Sequence, residues 1–97
     1  MPNNHPFLKI GLKSFESRLL TGTGKYPNLE LMQESLLASN CEIVTVAIRR
    51  VQSQEAGHTG LIKGIDWSKY WMLPNTAGCE NAEEAIRVAK LGRELAK

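Results

Sequence analysis

The sequence predicts an α/β fold built around a parallel sheet, and three observations carry that expectation. Strand-like and helix-like stretches alternate along the 97 residues, an order that calls for parallel strands joined by crossovers. In "EIVTVAIRR" the core, residues 43–48, is apolar or β-branched on both faces with only Thr45 polar. Strands apolar on both sides belong to sheets covered by helices, whereas half-exposed strands alternate. Near the end, Asn81 followed three residues later by Glu84 forms a capping-box-like start to an amphipathic helix.

The elements follow in order. "FLKIGLKSF" alternates Leu8, Ile10 and Leu12 around Gly11 and resumes at Phe15, a hairpin signal. "RLLTG" reads as a short strand ending in glycine. Pro27 and Asn28 mark a helix start, with Asn28 as N-cap. From Leu29 to Ser39 the apolar Leu29, Met32, Leu36 and Leu37 fall at helical spacing, and Asn40 can stop the run.

"EIVTVAIRR" is the clearest strand and is expected to end at Arg49 and Arg50. Residues 52–69 are polar and hold three glycines, with a short helix possible near residues 61–65. "WMLPNTAG" gives a brief strand, expected to end at Pro74, which cannot donate to a central ladder. In the last helix Ala82, Ala85, Ile86, Ala89 and Ala96 line one face, and Arg87, Lys90, Arg93 and Glu94 take the solvated side. That helix is expected to be still running at Lys97, with no strand after it, so the expectation is a fragment cut inside a larger α/β domain. Residues 1–7 are expected as a flexible tail and 8–97 as the incomplete domain.

Composition excludes several classes of function. Hydrophobic residues make up 42% and charged residues 23%, an ordinary balance for a globular chain. The net charge of +2 comes from scattered lysines and arginines, with only Arg49-Arg50 adjacent, so no basic stripe calls for nucleic acid. Apolar runs fall far short of the roughly 20 residues that span a bilayer, and "MPNNHPFLKIGLKS" lacks the pattern of a secretory signal. A cytoplasmic setting is expected, or a plastid stroma for an organelle-encoded chain. Cys41 and Cys79 read as free thiols with packing roles. His5 and His58 have no partner at ligand spacing, so no metal site is expected; no cofactor is expected either. Trp67, Tyr70 and Trp71 cluster, either as a partner face or as packing.

"TGTGKYPN" invites comparison with phosphate-binding loops. A Walker loop requires glycine five positions before its Gly-Lys pair and Ser or Thr after it; Leu19 and Tyr26 stand there. The third glycine of a dinucleotide fingerprint is missing as well. Pattern alone leaves an open doubly wound sheet and a closed barrel both standing; the leading hairpin, able to plug a barrel's base, favours the barrel.

"FESRLLTGTGKYPN", "CEIVTVAIRRV" and "WMLPNTAGCENAEEAIRVAKLGREL" together resemble the N-terminal part of the thiazole synthase family of thiamine biosynthesis, from about Leu8 onwards. The resemblance implies a (β/α)₈ TIM barrel of about 250 residues, of which this chain supplies about three βα units after the hairpin. It implies a transferase that joins 1-deoxy-D-xylulose 5-phosphate, a glycine-derived imine (dehydroglycine) and sulfur from a thiocarboxylated sulfur carrier protein through a lysine Schiff base. A homotetramer is implied for the full-length protein. The Schiff-base lysine of the family lies on the next strand, beyond Lys97, so no catalytic residue is assigned here and these 97 residues alone are expected to be inactive.

Within that resemblance, the loops after the strands become the site mouth, and Arg49, Asn75, Thr76 and Lys25 are the substrate-binding candidates. Strand alternation would aim Arg49 inward with Thr45 and Ala47, to hold an anionic substrate or orient a carboxylate; the alternative is an ion pair supporting the loops or the oligomer interface. Asn75 and Thr76 either hydrogen-bond substrate or set up the following turn. Lys25 is either a ligand, a surface lysine or a subunit contact. Two other readings stand beside the first: a non-catalytic barrel portion that binds a sulfur carrier or partner subunit, and another sugar-phosphate barrel enzyme.

Overall fold

A computed structural model of the chain describes residues 7–51 and 64–96. The expected flexible tail and most of the short helix considered at residues 61–65 lie outside the described residues.

Two strands, β1 (Leu8–Ile10) and β2 (Lys13–Phe15), pair antiparallel with Ile10 opposite Lys13. Only Gly11 and Leu12 connect them. Gly11 has φ +59°, the left-handed conformation that the first position of a tight II′ hairpin turn requires and that glycine adopts without strain.

A second sheet holds three parallel strands in the order β3 (Leu20–Thr21), β4 (Ile43–Ala47), β5 (Trp71–Asn75). Between β3 and β4 runs α1 (Leu29–Ser39). Asn28 caps it, its side-chain oxygen accepting the Leu31 N–H at 2.8 Å. Asn40 ends it in the left-handed region at φ 57°, donating its N–H to the Leu37 carbonyl.

Helix α3 (Ala82–Leu95) follows β5 and is capped by Asn81, whose side chain accepts the Glu84 N–H at 2.8 Å. Glu84 reaches back to the N–H of Glu80 at 3.3 Å. The carboxylate therefore returns one residue earlier than in a standard capping box. The helix is assigned to Leu95 with Ala96 as its C-cap, and Lys97 lies outside the described residues.

Register decides which face each strand residue serves. Thr21, Val44 and Met72 lie side by side, as do Val46 and Pro74. Val44 and Val46, fully buried, form one cluster with Met32 and Leu36 of α1, with Met72 packed against it. On the same face, a Cβ placed on Gly92 of α3 would meet Pro74 and Ile48. Both long helices thus cover one face of the sheet. The other face carries Leu20, Ile43, Thr45, Trp71 and Leu73, of which Leu20, Trp71 and Leu73 are 42%, 52% and 42% exposed.

The hairpin sits at the N-terminal end of that second face. Phe15 meets Trp71 edge-on with ring centroids 6.1 Å apart, and the Lys13 ammonium lies over the Trp71 ring at 5.6 Å. One carboxylate oxygen of Glu42 accepts the N–H groups of Glu16 and Ser17, each at 2.7 Å. Trp67 and Tyr70 also pack on the helix-side cluster, and the three aromatics expected to cluster, Trp67, Tyr70 and Trp71, line one cavity with Lys13 and Glu42.

Two strand ends differ from expectation. The central strand stops at Ala47, and residues 48–51 form the short helix α2 (Ile48–Val51). Ile48 is fully buried and packs where α3 passes over it; burying it against that helix outweighs the β-propensity of an Ile at the end of an apolar run. The last strand runs through Pro74 to Asn75. Trp71 donates its N–H to the Glu42 carbonyl at 2.7 Å, so the two-residue period turns the ring nitrogen of Pro74 away from β4. A missing donor costs nothing toward β4 there.

Candidate functional site

The C-terminal ends of β3, β4 and β5 bring three connections to one edge: the loop of residues 22–28, helix α2, and the loop of residues 76–81. Lys25, Arg49 and Thr76 lie on these connections, and Asn75 is the last residue of β5.

The first loop is tied down at Thr23, which is buried and donates its hydroxyl to the Thr45 carbonyl at 3.0 Å. Gly22 faces Thr45 across the sheet, where an added Cβ would lie 3.6 Å from the Thr45 hydroxyl oxygen. Lys25 follows, exposed and in the left-handed region at φ 68°. A non-glycine residue adopts that conformation at a cost of roughly 1 kcal/mol or more.

Arg49 does not continue a strand, so strand alternation does not aim it. From α2 its guanidinium donates to the Gly78 carbonyl and lies 3.7 Å from Glu84. That contact is the loop-supporting ion pair, joined to a backbone hydrogen bond. Gly78 has φ +88°, and an added Cβ there would come within 2.9 Å of an Arg49 nitrogen. The positive φ favours glycine at this position, and the room it leaves is taken by the movable end of Arg49.

Asn75 accepts the Ala77 N–H on its side-chain oxygen at 3.0 Å, an Asx turn that opens the loop. Thr76 offers its carbonyl to the Cys79 N–H at 3.1 Å. Both residues therefore shape the turn leading to Asn81, and the exposed side chain of Asn75 stays at the edge.

Sequence reasoning missed Arg50 as part of this edge. Its guanidinium lies directly over Gly24, in the space a side chain at residue 24 would take. The two residues are 26 positions apart, beyond the reach of any local pattern; the repeated glycines of "TGTGK" were the available signal. Among the described residues no three His, Cys, Asp or Glu side chains gather to hold a metal ion, and no helix is long and apolar enough to cross a membrane.

Comparison with known proteins decides the family. Residues 9–97 match the family model described as thiazole biosynthesis protein ThiG. The chain belongs to this family. A thiazole synthase of Prochlorococcus marinus strain NATL1A is 69% identical over 97 residues, covering all of this chain and 36% of the relative. Another, from Prochlorococcus marinus strain MIT 9313, is 71% identical over 90 residues, covering 93% of this chain and 33% of the relative. A third, from Synechococcus sp. strain WH7803, is 68% identical over 96 residues, covering 99% and 36%. The chain thus spans about a third of the length of these relatives. As a ThiG-family segment, it carries the three connections described above within the matched residues.

Proposed function

We propose that these residues form the opening arc of a (β/α)₈ barrel in a thiazole synthase, a transferase. It would build the thiazole phosphate of thiamine from 1-deoxy-D-xylulose 5-phosphate, dehydroglycine and the thiocarboxylate of a small sulfur carrier protein. The observation that carries the reading is the family match over residues 9–97, together with relatives near 69% identity that are named thiazole synthase.

The geometry fits that reading. Three parallel strands in sequential order carry both long helices on one face, as each arc of a barrel does. The opposite face presents Leu20, Trp71 and Leu73, side chains of the kind that fill a barrel interior, and Phe15 of the hairpin seals its N-terminal end. The opposite end, with Lys25, Arg49, Asn75 and Thr76, is where barrel enzymes build their sites.

The chemistry begins when a deprotonated lysine amine adds to the sugar ketone and the carbinolamine loses water to give an iminium. That iminium withdraws electrons from the adjacent carbon, whose proton can then leave, which lets the carbonyl migrate and sulfur add. Such an amine needs an apolar pocket or a cationic neighbour to lose its proton near neutral pH. Lys25 is exposed in a loop, an unsuitable setting, and the thiazole synthase resemblance implies that the amine lies on a strand beyond residue 97. The role left to this segment is to shape the mouth: Asn75 and Thr76 at its rim, Lys25 at its outer lip, and Arg49 holding the loop of residues 76–81 through Gly78. Homotetramer assembly and docking of the sulfur carrier belong to the same reading.

Reconstitution tests it. A full-length protein carrying these residues, supplied with the sugar phosphate, dehydroglycine and thiocarboxylated carrier, is expected to release thiazole phosphate detectable by mass spectrometry. Release of a different product, or none while a known thiazole synthase turns over beside it, would contradict the proposal.

A further inference from the structure

We propose that the adjacent arginines of α2 are a two-armed positioning clamp that sets the two flanking loops of the site. Arg50 reaches back over Gly24 in the loop after β3, and Arg49 reaches forward to Gly78 in the loop after β5. The clamp rests on the reading that this edge faces substrate.

Three features support it. Consecutive residues on a helix point about 100° apart, so the four-residue α2 sends two guanidinium groups to opposite neighbours. Each group meets a glycine whose absent side chain makes the room: at Gly24 an added Cβ would collide with the Arg50 guanidinium, and at Gly78 with that of Arg49. Each loop has a second anchor as well, the Thr23 hydroxyl on the Thr45 carbonyl and the Glu84 carboxylate on the Glu80 N–H. The short helix that replaces the expected strand end is thus the hub through which β4 holds both neighbours. Lysine would not serve, because an ammonium lacks the planar fork that can lie along a peptide and donate sideways.

The Gly24 arm gives the cleaner test, since Gly24, unlike Gly78, has no positive φ. Alanine there meets only the movable end of Arg50, so it displaces the guanidinium with little loss of stability. In a full-length thiazole synthase carrying these residues, Gly24→Ala and Arg50→Ala are each expected to lower kcat/KM by about tenfold or more, as sub-ångström misplacement of a site loop does. The double variant is expected to be no worse than Arg50→Ala alone, Arg50→Lys is expected not to restore activity, and Tm is expected to hold throughout. Additive losses, an Arg50→Ala enzyme with unchanged kcat/KM, or losses that appear only as lowered Tm would overturn the clamp. Should the unsubstituted enzyme form no thiazole, the functional reading fails separately. Amide exchange then decides the clamp: faster exchange at Gly24 and Lys25 in Arg50→Ala supports it, and unchanged exchange overturns it.

Discussion

Helix α3 comes so close to β5 at Gly92 and Pro74 that a Cβ on Gly92 would lie 2.8 Å from the Cβ of Pro74. The same atom would be 3.2 Å from Ile48. Both neighbours are held, one by its ring in a strand and the other by full burial. Gly92→Ala is therefore expected to destabilise the protein by about 1–3 kcal/mol, despite the better helix propensity of alanine. Denaturant unfolding of the full-length protein checks this, and a stabilised variant would contradict the close approach.

Glu42 joins the hairpin to the parallel sheet, since one of its carboxylate oxygens takes the N–H groups of both Glu16 and Ser17. Glu42→Ala leaves two donors without that acceptor and is expected to cost about 1–3 kcal/mol. Glu42→Gln keeps a carbonyl oxygen in place and should cost less. Equal effects from the two substitutions would show that the shared oxygen is not what matters.

Expressed as 97 residues alone, the chain is expected to self-associate. Leu20, Trp71 and Leu73 share one face, and the outer edge of β5 has no strand beside it among the described residues. Apolar faces and open edges of this kind recruit other chains. Sedimentation velocity that found a folded monomer at micromolar concentration would refute this.

At Asp66, the Ser68 hydroxyl and N–H both donate to one carboxylate oxygen, at 2.6 and 3.0 Å. These bonds favour the charged form and hold the carboxyl below its ordinary value of 3.8. A lowered folded-state value means that the contribution is present above pH 3.8 and is lost as pH falls through the folded value. Ser68→Ala should move the Asp66 titration, followed by NMR, back toward 3.8. An unmoved titration would assign the shift elsewhere.

Local chemistry made much of this fold readable in the sequence. Asn28 and Asn40 bracket α1, and Asn81 starts α3, because caps act within a few residues. Gly11 announced the hairpin for the same reason. The end of the central strand was not readable, since the conformation of Ile48 is settled by packing against Gly92, 44 residues away. Nor was the passage of β5 through Pro74, which depends on which side of the strand faces β4. The candidates at the edge, Lys25, Arg49, Asn75 and Thr76, were visible as residue types. Their geometry was not: Arg49 turns to Gly78 and Glu84, and Arg50 to Gly24, through contacts that span 26 to 35 positions.

In the proposed function this segment shapes a reaction mouth and the reactive amine lies on a later strand of the full-length protein. Borohydride reduction of the full-length enzyme with 1-deoxy-D-xylulose 5-phosphate, followed by peptide mapping, tests that most directly. The expected result is a single reduced adduct on a lysine outside residues 1–97, with Lys25, Lys90 and Lys97 unmodified. An adduct on any lysine within residues 1–97 would contradict it.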